Sequence, residues 1–374
     1  MNMKQVWAGA GGFFVVFILI SLTNRPHVAA PGEDRQPHKR RTQQASGAET
    51  APAAGGVLPA GFQRGMVYVC SGTSTMGDPA SDQALAGVAG TGANWVALNL
   101  PLAQASGDAV SVGADPALTP TPAAVAHAVA TAHQQHLRVM LRPLVVAADG
   151  TTRDSFVPAD PKAWMDSYGA ALAPYLEVAR NSQIELVSLG TGFSGLEATA
   201  PWPDLIRTAR KGYTGALTYG AAAAPGPSGG GYQSVSFWSQ LDYVGVEGFF
   251  PLTTQARPTE ADLASGWRAA IASVQGWAKQ GAGGKPVLFT AVGVPALAGA
   301  AADPAHPNQT ADPDPELQAA SARAFYATMS GQFGIAGAFW YAWEYRGTGG
   351  PANPYGVQDQ PARAAIQAVF ASQK

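Results

Sequence analysis

A few carboxylates, one arginine and a set of aromatic rings are the residues of this 374-residue chain whose types and positions could do chemistry. Glu247 stands two residues before Phe249, so on an extended strand both side chains point to the same face. If Phe249 lines a site, Glu247 lies deeper on the same side. A carboxylate at such depth must pair with a cation, for which Arg142 is the candidate, or stay neutral. The first reading of Glu247 is therefore a buried ion pair, and the second is an acid or ligand contact. Glu344 shares parity with Trp340 and is a candidate for the same rim, while Glu197 reads as a loop residue. The rings of Trp340, Tyr341, Trp343, Phe249 and Phe250 cluster near two strand ends. Flat rings stack on the apolar faces of pyranose rings, with amides and charges taking the hydroxyls, and Trp340 is the first candidate for such a contact.

Other chemistries lack their residues. The six histidines are scattered, and His133 with His136 reads as a solvated helix face, so neither a metal nor any other cofactor is expected. Cys70 is the one cysteine and has no disulfide partner within the chain. A formal net charge of -2 with 13% charged residues gives no basic field for nucleic acid and points to a neutral partner. The glycine run Gly229-Gly230-Gly231 follows Pro227-Ser228 in a loop, not a strand-to-helix turn, so it is no dinucleotide fingerprint.

The elements that must position these residues follow from alternation. Short apolar, β-rich runs at 65–69, 95–100, 138–144, 186–192, 216–221, 243–250, 286–292 and 337–344 are separated by Ala-rich helical patterns such as 161–180, 260–280 and 315–332. Alternating strands and helices indicate a parallel sheet, and about eight of each in this length fits a closed (β/α)8 barrel better than an open sheet. In such barrels chemistry sits at the C-terminal ends of the strands. Trp267 and Trp277 lie within one amphipathic helix and read as core.

Ahead of the barrel, an apolar run from Val6 to Leu22 is near the lower length limit for spanning a bilayer. Val28-Ala29-Ala30 offers a cleavage site, but Pro31 directly after it disfavours processing, so an uncleaved anchor is the preferred reading. The division expected is an anchor or signal segment over 1–24, a flexible Ala/Pro/Gly-rich linker over 25–60, and the barrel over 61–374. Arg25, Arg35, Lys39, Arg40 and Arg41 follow the run, and counting positive charge alone would keep the barrel in the cytoplasm. The carbohydrate-facing rings weigh the other way, so the expected location is the periplasm or cell exterior.

The ordered strand-end motifs resemble glycoside hydrolase family 113, the β-mannanase-like barrels. They are Gly65-Met66, Gly92-Ala93-Asn94-Trp95-Val96, Val139-Met140-Leu141-Arg142-Pro143, Gly190-Thr191, Tyr213 to Tyr219, Leu241-Asp242-Tyr243-Val244-Gly245, Phe250-Pro251-Leu252, Lys285 to Thr290, and Phe339-Trp340. Each is weak alone and the ordered set is strong. The resemblance implies a retaining mechanism, which holds two carboxylates roughly 5–5.5 Å apart. It also implies where they should be: a glutamate closing strand four after Gly-Thr as acid/base, and one closing strand seven after Phe-Thr as nucleophile. Here those positions are Gly192 and Ala291. Neighbouring positions differ from the family pattern too. Leu144 replaces an imidazole, Ala222 an asparagine and Phe249 a tyrosine, while Arg142 keeps a cation.

The resemblance therefore implies a barrel with no catalytic residues at the family positions. Its expected function is to bind a neutral polysaccharide or oligosaccharide in the cell envelope, or to serve the synthesis or export of one. The ligand-contact candidates are Arg142, Glu247, Phe249, Trp340 and Glu344. Two alternatives stand beside it: a β-mannanase-like hydrolase using relocated acids, with Glu247 and Glu344 as the best pair, and a structural barrel that binds proteins. The sequence names no protein partner.

Overall fold

Prolines and acidic or hydroxyl side chains set the helix starts. Asp78-Pro79, Thr121-Pro122, Asp160-Pro161 and Asp314-Pro315 each place a side-chain oxygen on free amides of the first turn, with proline at the first helical position. There its missing N–H costs nothing. Thr259 and Asp262 form a reciprocal capping box at another start. The computed structural model describes residues 58–373 except 71, 73, 74, 199, 200 and 347–352. The segment and linker expected over 1–57 lie outside the described residues, and no described helix is long and apolar enough to cross a membrane.

Eight strands form one closed parallel barrel in sequence order: β1 (Gln63–Val69), β2 (Trp95–Gln104), β3 (Arg138–Ala147), β4 (Leu186–Thr191), β5 (Ala216–Ala222), β6 (Val244–Gly248), β7 (Val287–Val292) and β8 (Ile335–Glu344). The helices packed outside are α1 (Pro79–Ala89), α2 (Pro122–Gln134), α3 (Pro161–Asn181), α4 (Trp202–Arg210), α5 (Glu260–Gly281), α6 (Pro315–Met329) and α7 (Pro361–Ala371). Among the described residues there are thus seven α-helices rather than the eight expected. The β5-to-β6 connection is a loop with a 3-10 turn at Trp238–Gln240. Its Pro225, Pro227 and three successive glycines at positive φ cannot sustain a helix.

Strands buried on both faces divide the core in two. Val67, Trp95, Ala97, Met140, Leu186, Leu288 and Phe339 fill the bore, while a larger cluster fills the space between sheet and helices. Trp267 belongs to that outer cluster, with Trp277 packed at its edge.

Glu197 holds the irregular connection in place. It is fully buried, accepts a hydrogen bond from the Tyr219 hydroxyl at 3.1 Å, and accepts another from the Gly231 amide at 2.5 Å. Burial pushes its carboxyl up to about 7. Tyr219 packs against Trp202 and Phe237 in the outer layer, so Glu197 anchors a loop behind the barrel wall.

Candidate functional site

The polar centre of the barrel is a chain of four side chains from four strands. Asn99 on β2 is in register with Arg142 on β3, and the Arg142 Nη1 donates to Asn99 Oδ1 at 2.7 Å. The Arg142 Nη2 donates to Glu247 Oε2 across the bore from β6. Thr290 on β7 donates its hydroxyl to the other carboxylate oxygen, Oε1, at 2.6 Å. Arg142 is 2% exposed and Glu247 7%, so both oxygens of a buried carboxylate are engaged by protein donors. Gly220 on β5 makes room for this: a Cβ there would lie 2.7 Å from Glu247 Oε1 and 2.9 Å from Thr290 Oγ1. The expected pairing of Glu247 with Arg142 is present.

Gly192 and Ala291 lie at the C-terminal ends of β4 and β7, and parallel strands bring those ends to one face of the barrel. Ala291 is in register with Glu247. Gly192 follows Thr191 with φ +66, a left-handed backbone, and its amide donates to the Gly220 carbonyl at 2.7 Å. A Cβ on Gly192 would point toward Arg153, whose Nε lies 3.8 Å away. Arg153 comes from a 3-10 turn, Arg153–Ser155, in the loop after β3. Its Nε is buried and has no hydrogen-bond acceptor, as is also true of the Arg142 Nε. Burial, and then the like charge of Arg142, hold the Arg153 pKa below the usual guanidinium range.

Three rings stand at the rim. Phe249, Tyr341 and Tyr355 meet edge to face in a triangle with centroid separations of 5.7, 5.8 and 5.5 Å, and all three are partly exposed. Tyr355 is tied down by its hydroxyl, which donates to the Pro304 carbonyl at 2.5 Å. Tyr341 faces both arginines. Burial raises its phenol above the ordinary range, and the two guanidinium charges oppose that rise.

Trp340 is not at this rim. It is fully buried against Phe325 and Tyr326 of α6, between sheet and helices. Strand alternation puts Phe339 and Tyr341 on the bore side and Trp340 outside, which corrects its expected role as a sugar platform. Trp343 and Phe250 are corrected likewise. Trp343 packs on α1 at Gly87 and under Arg363, and Phe250 packs on Trp267 and Phe289. Parity along β8 is also broken by a register shift against β1 beyond Val67 and Tyr341. Glu344, on the far side of that shift, is partly buried and accepts a hydrogen bond from Asn353 Nδ2.

The structure thus brings Arg142, Glu247 and Phe249 together, with Glu344 held separately by the loop after β8. Sequence reasoning missed Asn99, Thr290, Tyr355 and Arg153. Asn99 was recoverable as the one amide in the apolar run 95–100, and Thr290 as the residue before Ala291. Arg153 sits in an aperiodic loop with no signal in its surroundings. Among the described residues no group of three or more His, Cys, Asp or Glu side chains could hold a metal ion.

A closed parallel barrel with its polar cluster at the C-terminal strand ends has the architecture of a TIM-barrel glycoside hydrolase. The chain belongs to Glycoside Hydrolase Family 113, whose profile matches residues 68–350. Among solved structures it is similar to the GH113 β-mannanase AaManA from Alicyclobacillus acidocaldarius in complex with ManMIm. The two share 23% identity over 84% of this chain and 98% of that one, with a TM-score of 0.72. A complex of a GH113 β-1,4-mannanase gives 20% identity, coverage of 83% and 99%, and a TM-score of 0.71. A more distant likeness is to GH5_18 from Streptomyces cattleya in complex with GlcNAc, at 15% identity, coverage of 83% and 80%, and a TM-score of 0.53. At these identities the likeness is one of fold. No curated protein sequence matches the chain.

Proposed function

We propose that this family member is a non-catalytic barrel that binds a polysaccharide at the C-terminal mouth, held in the cell envelope by its N-terminal apolar segment. The observation that carries this reading is the pair Gly192 and Ala291: neither offers a titratable group where a retaining mechanism needs one. The arrangement of the remaining acids supports it. Glu247 has both oxygens engaged by Arg142 and Thr290, whereas Glu344 stands apart from that cluster with one oxygen, Oε1, bonded to Asn353. A proton donor or nucleophile needs an oxygen free to reach the sugar. The rim rings of Phe249, Tyr341 and Tyr355 are the surfaces on which a pyranose could stack. β-Mannanase relatives of the same fold make a β-1,4-linked hexopyranose chain the natural first ligand to try.

The test is incubation of the full chain with mannotetraose. The expected result is binding, with the tetrasaccharide recovered intact. Cleavage that disappears in Glu247→Gln would favour the relocated-acid alternative, and intact sugar without binding would favour the structural barrel.

A further inference from the structure

One cation near the mouth, Arg153, has no direct acceptor, although carboxylates lie in its neighbourhood. The Glu247 carboxylate is matched by Arg142 and Thr290. Asp154, beside Arg153 in the chain, is taken up by Thr152 and by His306, whose Nε2 lies 3.4 Å from Oδ2. Glu344 is held by Asn353. Among the described residues Arg153 has neither a salt bridge nor a hydrogen bond to its Nε, and that Nε is out of reach of water. A buried donor on a cation that goes without an acceptor is costly, and such a group is normally matched by an anion.

The position of Arg153 shows where the missing anion belongs. It lies 3.8 Å from the point where a side chain on Gly192 would begin. A carboxylate carried at 192 would stand next to this guanidinium and balance it, but glycine carries none. Near Arg153 is Tyr341, which faces both arginines and meets the partly exposed rings of Phe249 and Tyr355. The surroundings are thus a cation to pair with a planar carboxylate and rings to stack on a sugar face.

We propose that Arg153 binds the carboxylate of an acidic sugar, so that this barrel prefers a uronate-containing oligosaccharide to a neutral one. The proposal rests on the carbohydrate-binding reading above and specifies its ligand class. Guanidinium groups recognise carboxylates through paired N–H donors, and a partly enclosed pair is screened less by salt than a surface pair.

The experiment compares β-1,4-linked tetramannuronate with mannotetraose, which differ only in a carboxylate or a hydroxymethyl at C6. Titration calorimetry with the full chain is expected to show the uronate binding at least tenfold tighter. Arg153→Gln should bring the uronate's affinity down to about that of mannotetraose for the same variant, and Arg153→Lys should retain part of the preference. Equal or tighter binding of mannotetraose would overturn the proposal and leave the carbohydrate-binding reading standing. An equal loss for both sugars in Arg153→Gln would overturn it also, since that marks a structural role. Binding of neither sugar would overturn both readings. Inorganic phosphate displacing the uronate at equal concentration would point to a free-anion site and would likewise overturn it.

Discussion

Replacing Glu247 by glutamine asks whether that carboxylate is committed to the fold or available for chemistry. The change removes the charge opposite Arg142, which is 2% exposed and cannot recover its hydration. Breaking one side of a buried ion pair costs about 3–5 kcal/mol, whereas removing both sides together is often nearly neutral. For roughly 310 ordered residues at roughly 2.1 cal/mol/K each, the unfolding entropy is about 0.65 kcal/mol/K, so Glu247→Gln should lower Tm by about 5–8 °C. The Thr290 hydroxyl can still donate to the glutamine oxygen, so the loss reports on Arg142 and not on the whole network. Adding Arg142→Met to Glu247→Gln should recover at least half of the loss, because the unpaired charge is gone. Calorimetric melts of the four proteins form a double-mutant cycle that isolates the pair. A Glu247→Gln protein melting within about 1 °C of the parent would refute the reasoning and return Glu247 to the list of free acids.

Three further outcomes follow from the structure. Burial raises the Glu197 carboxyl from its ordinary 4.5 to about 7, so the folded state holds its proton more tightly than the unfolded chain. Stability should then fall as pH climbs from 4.5 to 7, by up to roughly 3 kcal/mol, and stay lower above that. In Glu197→Gln, where the amide can serve both Tyr219 and the Gly231 N–H, this part of the pH dependence should vanish; parallel denaturation curves for the two proteins from pH 5 to 8 would contradict it. Gly192→Glu alone should place a carboxylate beside Arg153 and erase the preference for uronate over mannotetraose in calorimetry. Joined with Ala291→Glu it should restore at most weak hydrolysis, because a side chain at φ +66 is strained by about 1 kcal/mol and the first carboxylate is drawn to Arg153.

The barrel was legible because its strands are apolar runs and its helices carry cap and proline signatures that physics makes local. Asp314-Pro315 marks a helix start whatever surrounds it. The count of eight helices came from the barrel pattern as a whole, and in the β5-to-β6 connection Pro225, Pro227 and three glycines rule one out. Glu247 with Arg142 could be read from strand parity and the cost of burying a charge. Trp340 could not be placed that way, because which face of β8 lines the bore depends on its register against both neighbours. That register shifts against β7 between Ala338 and Trp340, and against β1 beyond Tyr341. Arg153 was illegible for a different reason: its meaning comes from the loop after β3 folding over Gly192, a contact that no spacing encodes. The chain's net charge of -2 could not show either that one guanidinium near the mouth, Arg153, has an Nε without a hydrogen-bond acceptor.

The central claim is that the mouth of this barrel no longer holds a working pair of carboxylates. Release of 4-nitrophenolate from an activated aryl β-mannoside by the full chain tests it most directly, because the good leaving group removes the need for a strong proton donor and leaves the nucleophile as the limiting part. The expected rate is that of buffer alone. Turnover above that rate which Glu247→Gln or Glu344→Gln abolishes, in a variant shown by its melt to remain folded, would contradict the claim.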